Sequence, residues 1–135
     1  MKSVLITGGL GFIGAQIAQE MINDNIVDKA ILLDHYGGFI NPLRNDFQDY
    51  RKYRLEGIED KVVIERGETR NSIIMTNLID KYRPDYIIHT AALPLAKIDN
   101  LNAAEAREGS VDSTAGILEI INHFKLKDGY CPLRF

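Results

Sequence analysis

The chain has 135 residues, of which 45% are hydrophobic and 26% charged; 16 Lys and Arg stand against 19 Asp and Glu, for a net charge of −3. A chain of this length can bury roughly two-thirds of its unfolded surface around one core, and this balance gives no electrostatic footprint for nucleic acid or an acidic membrane. One cysteine, Cys131, excludes an internal disulfide framework and a cysteine-based zinc site, no run approaches the ~20 apolar residues of a membrane span, and Met1-Lys2-Ser3-Val4 leads into folded-type sequence without a signal peptide. The expected compartment is the cytoplasm.

The first element is the apolar run Ser3 to Thr7, a short strand that ends in glycines. A helix follows from Gly14 to Asn23, its face formed by Ile13, Ile17 and Met21 with Ala18 and Ile22 beside them. Lys29 to Asp34 is apolar without alternation, which fits a parallel strand covered on both faces. Gly37, Gly38, Asn41 and Pro42 mark a loop, and Leu43 to Glu56 reads as a polar helix. There Arg44, Arg51, Lys52 and Arg54 are interleaved with Asp46, Asp49, Glu56 and Glu59, the pattern of a solvated face.

Lys61 to Glu65 is the third strand. Asn71 to Tyr82 is a helix with Ile74, Leu78 and Ile79 on its stripe, stopped by Arg83-Pro84. Asp85 to Ala91 is the fourth strand and Leu93 to Leu101 a loop. A long helix runs from about Asn102 to Phe124 with Val111, Ala115, Leu118 and Ile121 as its stripe, and Lys127-Asp128-Gly129 ends it. Cys131 to Phe135 reads as the start of another strand. Strand–helix alternation of this kind specifies a parallel sheet with right-handed crossovers and helices on both faces.

Chemistry concentrates in Thr7-Gly8-Gly9-Leu10-Gly11-Phe12-Ile13-Gly14, which carries both G-x-G-x-x-G and G-x-x-G-x-x-G spacing between a predicted strand and a predicted helix. A glycine at the turn permits unusual dihedrals. Gly11 lets the backbone approach a pyrophosphate, Gly14 lets the helix pack closely on the strand, and the helix N-terminus offers free N–H groups to phosphate. Asp34 stands twenty residues after Gly14 at the end of the second strand. A carboxylate there can accept from the ribose hydroxyls of adenosine and would repel a 2′-phosphate, which selects NAD over NADP. His89 reads as a strand histidine facing the sheet interior, His35 as a loop residue near the ribose, and Cys131 as structural.

These blocks resemble the extended short-chain dehydrogenase/reductases, the nucleotide-sugar epimerases and dehydratases. The resemblance runs from Thr7–Gly14 through Leu33-Asp34, Glu65 to Arg70 and Pro84 to Ala92 into the helix at Gly109 to Ile120. It implies a Rossmann-type doubly wound parallel α/β sheet, truncated after four strands and the start of a fifth, with NAD as cofactor and a nucleotide sugar as substrate of the full-length parent. It implies a cofactor site of Gly8, Gly11, Phe12, Ile13 and Gly14 around the pyrophosphate, with Asp34 and His35 at the ribose. Glu68 would meet the adenine amino group and Thr69 lie along the ring. Thr90, Ala91 and Ala92 would line the cofactor, and Ser110 stands where the family often has Asn. The family often dimerises through the helix near 102–124.

The family's chemistry also needs a Tyr-x-x-x-Lys pair, whose lysine lowers the tyrosine pKa for proton removal while hydride passes to NAD. Four residues after each tyrosine stand Ile40, Arg54, Gly57, Tyr86, Thr90 and Arg134, never lysine. The expectation is therefore a cofactor-binding portion without catalytic residues or a metal site, inactive on its own. The alternative is a natural short NAD-binding module with a sensing or scaffolding role.

Overall fold

In the computed structural model the described residues are 1–36, 50–92 and 102–135, with the backbone of 40–41 and 46–47. Four strands form one parallel sheet: β1 (Ser3–Thr7), β2 (Lys29–Asp34), β5 (Val62–Arg66) and β6 (Tyr86–His89), in the order β5-β2-β1-β6. β3 (Ile40–Asn41) and β4 (Asp46–Phe47) form a separate antiparallel pair. The chain starts in the middle of the sheet, winds outward through β2 to β5, then crosses to the far side of β1. The winding therefore reverses between β1 and β6, and a parallel sheet opens a crevice at the carboxyl end of such a reversal.

Both faces of the sheet are covered, which is why the interiors of β1 (Val4–Ile6) and β2 (Ala30–Leu33) are apolar without alternation. Val4, Ile6, Ala30 and Leu32 pack beneath α1 (Phe12–Asn23), against Ala15, Ala18 and Ile22. Leu5, Ile31, Leu33 and Ile87 meet α3 (Ser72–Tyr82) and α5 (Ser113–Asp128) through Met75, Ile79, Ile117, Ile121 and Phe124. Each Val, Leu, Ile, Met or Phe among them, fully buried, contributes about 1.5–3 kcal/mol. Alternation along β1 sends Thr7 to the α5 side with Leu5, and register sets it opposite His89 of β6.

Several boundaries hold to the residue. β1 and β2 occupy their expected spans, and α5 ends at Gly129 in the left-handed conformation, φ 80°. Asn71 lies just before α3, where its side chain accepts the N–H groups of Ile73 and Ile74 at 3.1 Å. The strand expected at Cys131–Phe135 meets the edge of β6. Tyr86 and Arg134 form a parallel bridge, with Leu133 N–H donating to Asp85 at 2.7 Å and Ile87 N–H to Arg134 at 3.1 Å.

Other expectations are corrected. Ile13 is exposed, because the inward face of α1 at that end is made by Gly14 and Ala15. Among the described residues of the helix expected over Leu43–Glu56, α2 (Arg51–Arg54) is helical, whereas Asp46–Phe47 pairs with Ile40–Asn41. The loop and helix expected at 37–39, 42–45, 48–49 and 93–101 lie outside the described residues. The long helix is α4 (Ala103–Arg107), a π turn (Glu108–Asp112) and α5. It carries two apolar stripes, and the sheet takes the bulkier one: Ile117, Ile120, Ile121 and Phe124 are buried, whereas Val111, Ala115 and Leu118 face solvent. Cys131, expected to be structural, is exposed and free.

Candidate dinucleotide site

The residues singled out by the sequence converge on the carboxyl edge of the sheet, because each follows a parallel strand. After β1, Gly8 adopts φ 67°, and a Cβ there would press on Ala91 at 3.0 Å. The first turn after β1 and the segment leaving β6 thus touch through the missing side chain. Gly14 is closed in more tightly: a Cβ would run into the carbonyl oxygen of Gly8, so at this position the helix packs on the glycine turn that ends the strand. Gly11 caps α1 without a side chain, and the first turn of the helix holds no acidic residue. The start of α1 is therefore open to an anion, with Phe12 and Ile13 exposed at 80% and 65%.

The turn is tied to β2 at two points. Gly9 N–H donates to Leu33 O at 3.2 Å, and Leu10 N–H donates to the Asp34 carboxylate at 3.2 Å. Asp34 accepts a second backbone N–H, that of Tyr36, at 2.9 Å. This local bond supports the left-handed backbone of Tyr36, φ 67°. A carboxylate offers about four acceptor positions, so two remain for a ligand hydroxyl. His35 is exposed beside it.

One contributor was not legible in the sequence. Arg54 Nη1 donates to Leu10 O at 2.5 Å while its guanidinium lies 4.8 Å from the Tyr50 ring centroid. Arg54 is thus part of the support of the glycine turn, not only of a solvated face. The contact joins residues 44 apart, and no local spacing announces it.

After β5, Gly67 N–H donates to Asp34 O at 3.0 Å and brings Glu68 and Thr69 to the same edge. Glu68 is exposed and ion-paired with Arg70 at 2.8 Å, and Arg70 reaches Glu108 on the π turn at 3.4 Å. After β6, Thr90 Oγ1 donates to Thr7 O at 2.6 Å and Ala91 N–H to Thr7 Oγ1 at 3.2 Å. Ala92 follows, exposed. Ser110 sits on the π turn, where its carbonyl accepts from Thr114 Oγ1 at 2.7 Å. His89 is half-buried, as its strand reading required, and burial pushes its pKa down.

A parallel sheet whose winding reverses beside a glycine turn, with an open helix N-terminus at that reversal, is a Rossmann-type fold. The chain belongs to the polysaccharide biosynthesis protein family, whose pattern matches residues 4–128. It is 32% identical over 93 residues to a dTDP-glucose 4,6-dehydratase of Neisseria gonorrhoeae, covering 67% of this chain and 24% of that protein. It is 26% identical over 123 residues to the Salmonella typhimurium dTDP-glucose 4,6-dehydratase, covering 90% and 31%. Among solved structures it resembles the UDP-glucose 4-epimerase of Bifidobacterium longum in complex with NAD+ and UDP. There the TM-score is 0.71 and the identity 25%, over 90% of this chain and 34% of that one. The chain therefore spans about a third or less of these relatives, corresponding to their N-terminal part.

Proposed function

We propose that this chain is the NAD-binding portion of a nucleotide-sugar dehydratase or epimerase. The observation that carries this is the convergence of the glycine turn, Asp34, Glu68–Thr69 and Thr90–Ala92 on one crevice where the sheet reverses. The residues fit a dinucleotide: a Cβ at Gly8 or Gly14 would fill the turn, and the start of α1 is open to phosphate.

In this reading Gly8, Gly11 and Gly14 admit the pyrophosphate, and the N–H groups of Phe12 and Ile13 donate to it. Asp34 holds the ribose, with His35 beside it. Glu68 meets the adenine amino group while sharing its carboxylate with Arg70, and Thr69 lies along the ring. Thr90, Ala91, Ala92 and Ser110 line the remaining wall. The bound NAD supplies hydride acceptance. The chain's own contribution is to bind and orient it, because Tyr-x-x-x-Lys is absent from these residues.

The same reading places the protein in the cytoplasm, away from nucleic acid and membrane. Among the described residues no helix is long and apolar enough to cross a membrane. It also includes a homodimer through the long helix, supported by the exposed Val111, Leu118 and Leu126. Calorimetric titration of the chain with NAD tests the cofactor: saturable heat at submillimolar to millimolar NAD is expected. An intact fold giving no heat at millimolar NAD would overturn the proposal.

A further inference from the structure

We propose that His89 is a positioning residue of this crevice: as the neutral Nε2–H tautomer it links Thr7 to Ser113, so that the backbone leaving β6 and the π turn carrying Ser110 are held as one unit. The inference deepens the dinucleotide reading and rests on it only for the identity of the ligand.

The hydrogen bonds leave one consistent placement of protons. Ser113 Oγ lies 3.1 Å from Gly109 O and 3.3 Å from Ser110 O. Carbonyls only accept, so the hydroxyl proton of Ser113 points at the π turn. Its oxygen, 3.2 Å from His89 Nε2, must then accept, which puts the ring proton on Nε2. In a neutral imidazole Nδ1 is the acceptor, and it receives the Thr7 hydroxyl at 2.6 Å. Thr7 Oγ1 keeps a lone pair for Ala91 N–H at 3.2 Å. The chain runs in one direction, from Ala91 N–H through Thr7, His89 and Ser113 to the carbonyls of Gly109 and Ser110.

Its setting makes the arrangement stiff. Thr7 is 0% and Ser113 2% exposed, and among the described residues no buried side-chain nitrogen or oxygen lacks a partner. A second proton on the ring would leave the Thr7 hydroxyl without its acceptor. β1 and α5 present the imidazole with uncharged Thr7 and Ser113. The acids nearest along the helix are engaged elsewhere, Asp112 with Arg107 at 3.3 Å and Glu108 with Arg70 at 3.4 Å. Burial alone pushes the His89 pKa down, which keeps the ring neutral.

The π turn gives the link its consequence. Such turns displace carbonyls from their helical donors and recur at functional sites. Here the hydroxyls of Ser113 and Thr114 fill the gap. Ala91 follows β6 and Ser110 sits on the π turn, and in this chain of bonds they are joined only through Thr7, His89 and Ser113. A pre-ordered wall lowers the entropy a ligand must give up on binding.

Nitrogen-15 NMR on the 135-residue chain without ligand tests the link. His89 should show a protonated Nε2 and an unprotonated Nδ1. Ser113→Ala should weaken that bias, which Thr7 then sustains alone, and speed exchange of the Ala91 amide about tenfold as the Thr7–His89 pair loosens. Thr7→Val should do the same to Ser110, while Thr7→Ser, which keeps the hydroxyl, should restore the wild-type pattern. A mere space-filling role for His89 would move neither the ring nitrogens nor the remote amide. An unprotonated Nε2, or an Ala91 amide indifferent to Ser113→Ala, overturns the inference. In a chain that binds NAD, Ser113→Ala should also weaken binding several-fold, and unchanged affinity overturns the positioning role. A wild-type chain that binds no NAD overturns the dinucleotide reading instead, with the ligand-free signals still deciding the link.

Discussion

The carboxylate of Asp34 accepts the backbone N–H of Leu10 at 3.2 Å, so the end of β2 and the glycine turn after β1 are fastened to each other before any ligand arrives. The same side chain accepts Tyr36 N–H at 2.9 Å. Asp34 thus has a structural task besides its proposed ribose task, and substitutions separate the two. Asp34→Ala strands two part-buried donors and should cost about 2 kcal/mol of stability, whereas Asp34→Asn keeps an acceptor oxygen and should cost about 1 kcal/mol. Denaturant melts read that difference. Asp34→Arg should in addition shift cofactor preference toward NADP in calorimetric titrations. Unchanged selectivity would remove Asp34 from the ribose.

Two glycines make a matched pair for the packing of the turn. A Cβ at Gly14 meets the Gly8 carbonyl, while one at Gly116 in α5 has nothing within 4 Å. Gly14→Ala should therefore destabilise by about 2 kcal/mol through overpacking and abolish NAD binding. Gly116→Ala should stabilise by about 0.5–1 kcal/mol through helix propensity. Thermal melts of both variants check the sign. Equal behaviour would show that the turn yields to a methyl group.

Arg54 anchors the turn from below through Leu10 O and stacks on Tyr50. Arg54→Ala should lower stability by about 1–2 kcal/mol and weaken NAD binding several-fold by loosening the phosphate-facing backbone. Arg54→Lys keeps a donor and should recover part of the loss. If Arg54→Ala lowers stability and leaves NAD affinity intact, Arg54 supports the fold without shaping the site.

Folding should also sense pH through His89. Its folded pKa is depressed by burial, so the unfolded chain takes up the proton first as pH falls below the ordinary histidine value of about 6.5. The contribution is complete above that value and is lost as pH descends toward the folded pKa. Melting temperature should fall between pH 7 and 5, and His89→Gln should flatten that portion of the profile. Glu65 acts lower on the scale. Hydrogen bonds from Lys81 and Tyr82 hold its pKa down, so its contribution goes only at more acidic pH. A profile unchanged by His89→Gln would mean that the ring is not the sensing group.

Elements whose pattern is local were legible in the sequence. β1 and β2 are apolar without alternation between their polar ends, because both faces of a central parallel strand are covered. The glycine turn announced itself, since its steric need falls on adjacent residues. What escaped depends on residues far apart. Arg54 is helical in propensity and charged, and only the fold carries it to Leu10. The π turn has its carbonyls bonded by the hydroxyls of Ser113 and Thr114, and Ser113 Oγ lies 3.2 Å from His89 Nε2 on the distant strand β6. Of the stripe expected for the long helix, Ile121 is buried and Val111, Ala115 and Leu118 are not, since periodicity finds two overlapping stripes and the sheet covers the bulkier one.

That unselected stripe motivates the last prediction. Val111, Leu118 and Leu126 remain at the surface of the long helix, with Ala115 between them. A self-associating helix pair needs an apolar centre ringed by polar residues, and a stable interface buries about 1,200–2,000 Å² in total. Leu118 stands near the middle of this stripe, so Leu118→Glu would set two carboxylates against each other across a two-fold axis. Sedimentation should find the chain dimeric at tens of micromolar and the variant monomeric, with the variant still unfolding cooperatively because Leu118 lies outside the core. A wild-type chain that stays monomeric to several hundred micromolar would remove this helix surface as a self-interface. It would leave α5 with only the role its buried face performs, closing the sheet above Ile87 and Leu5.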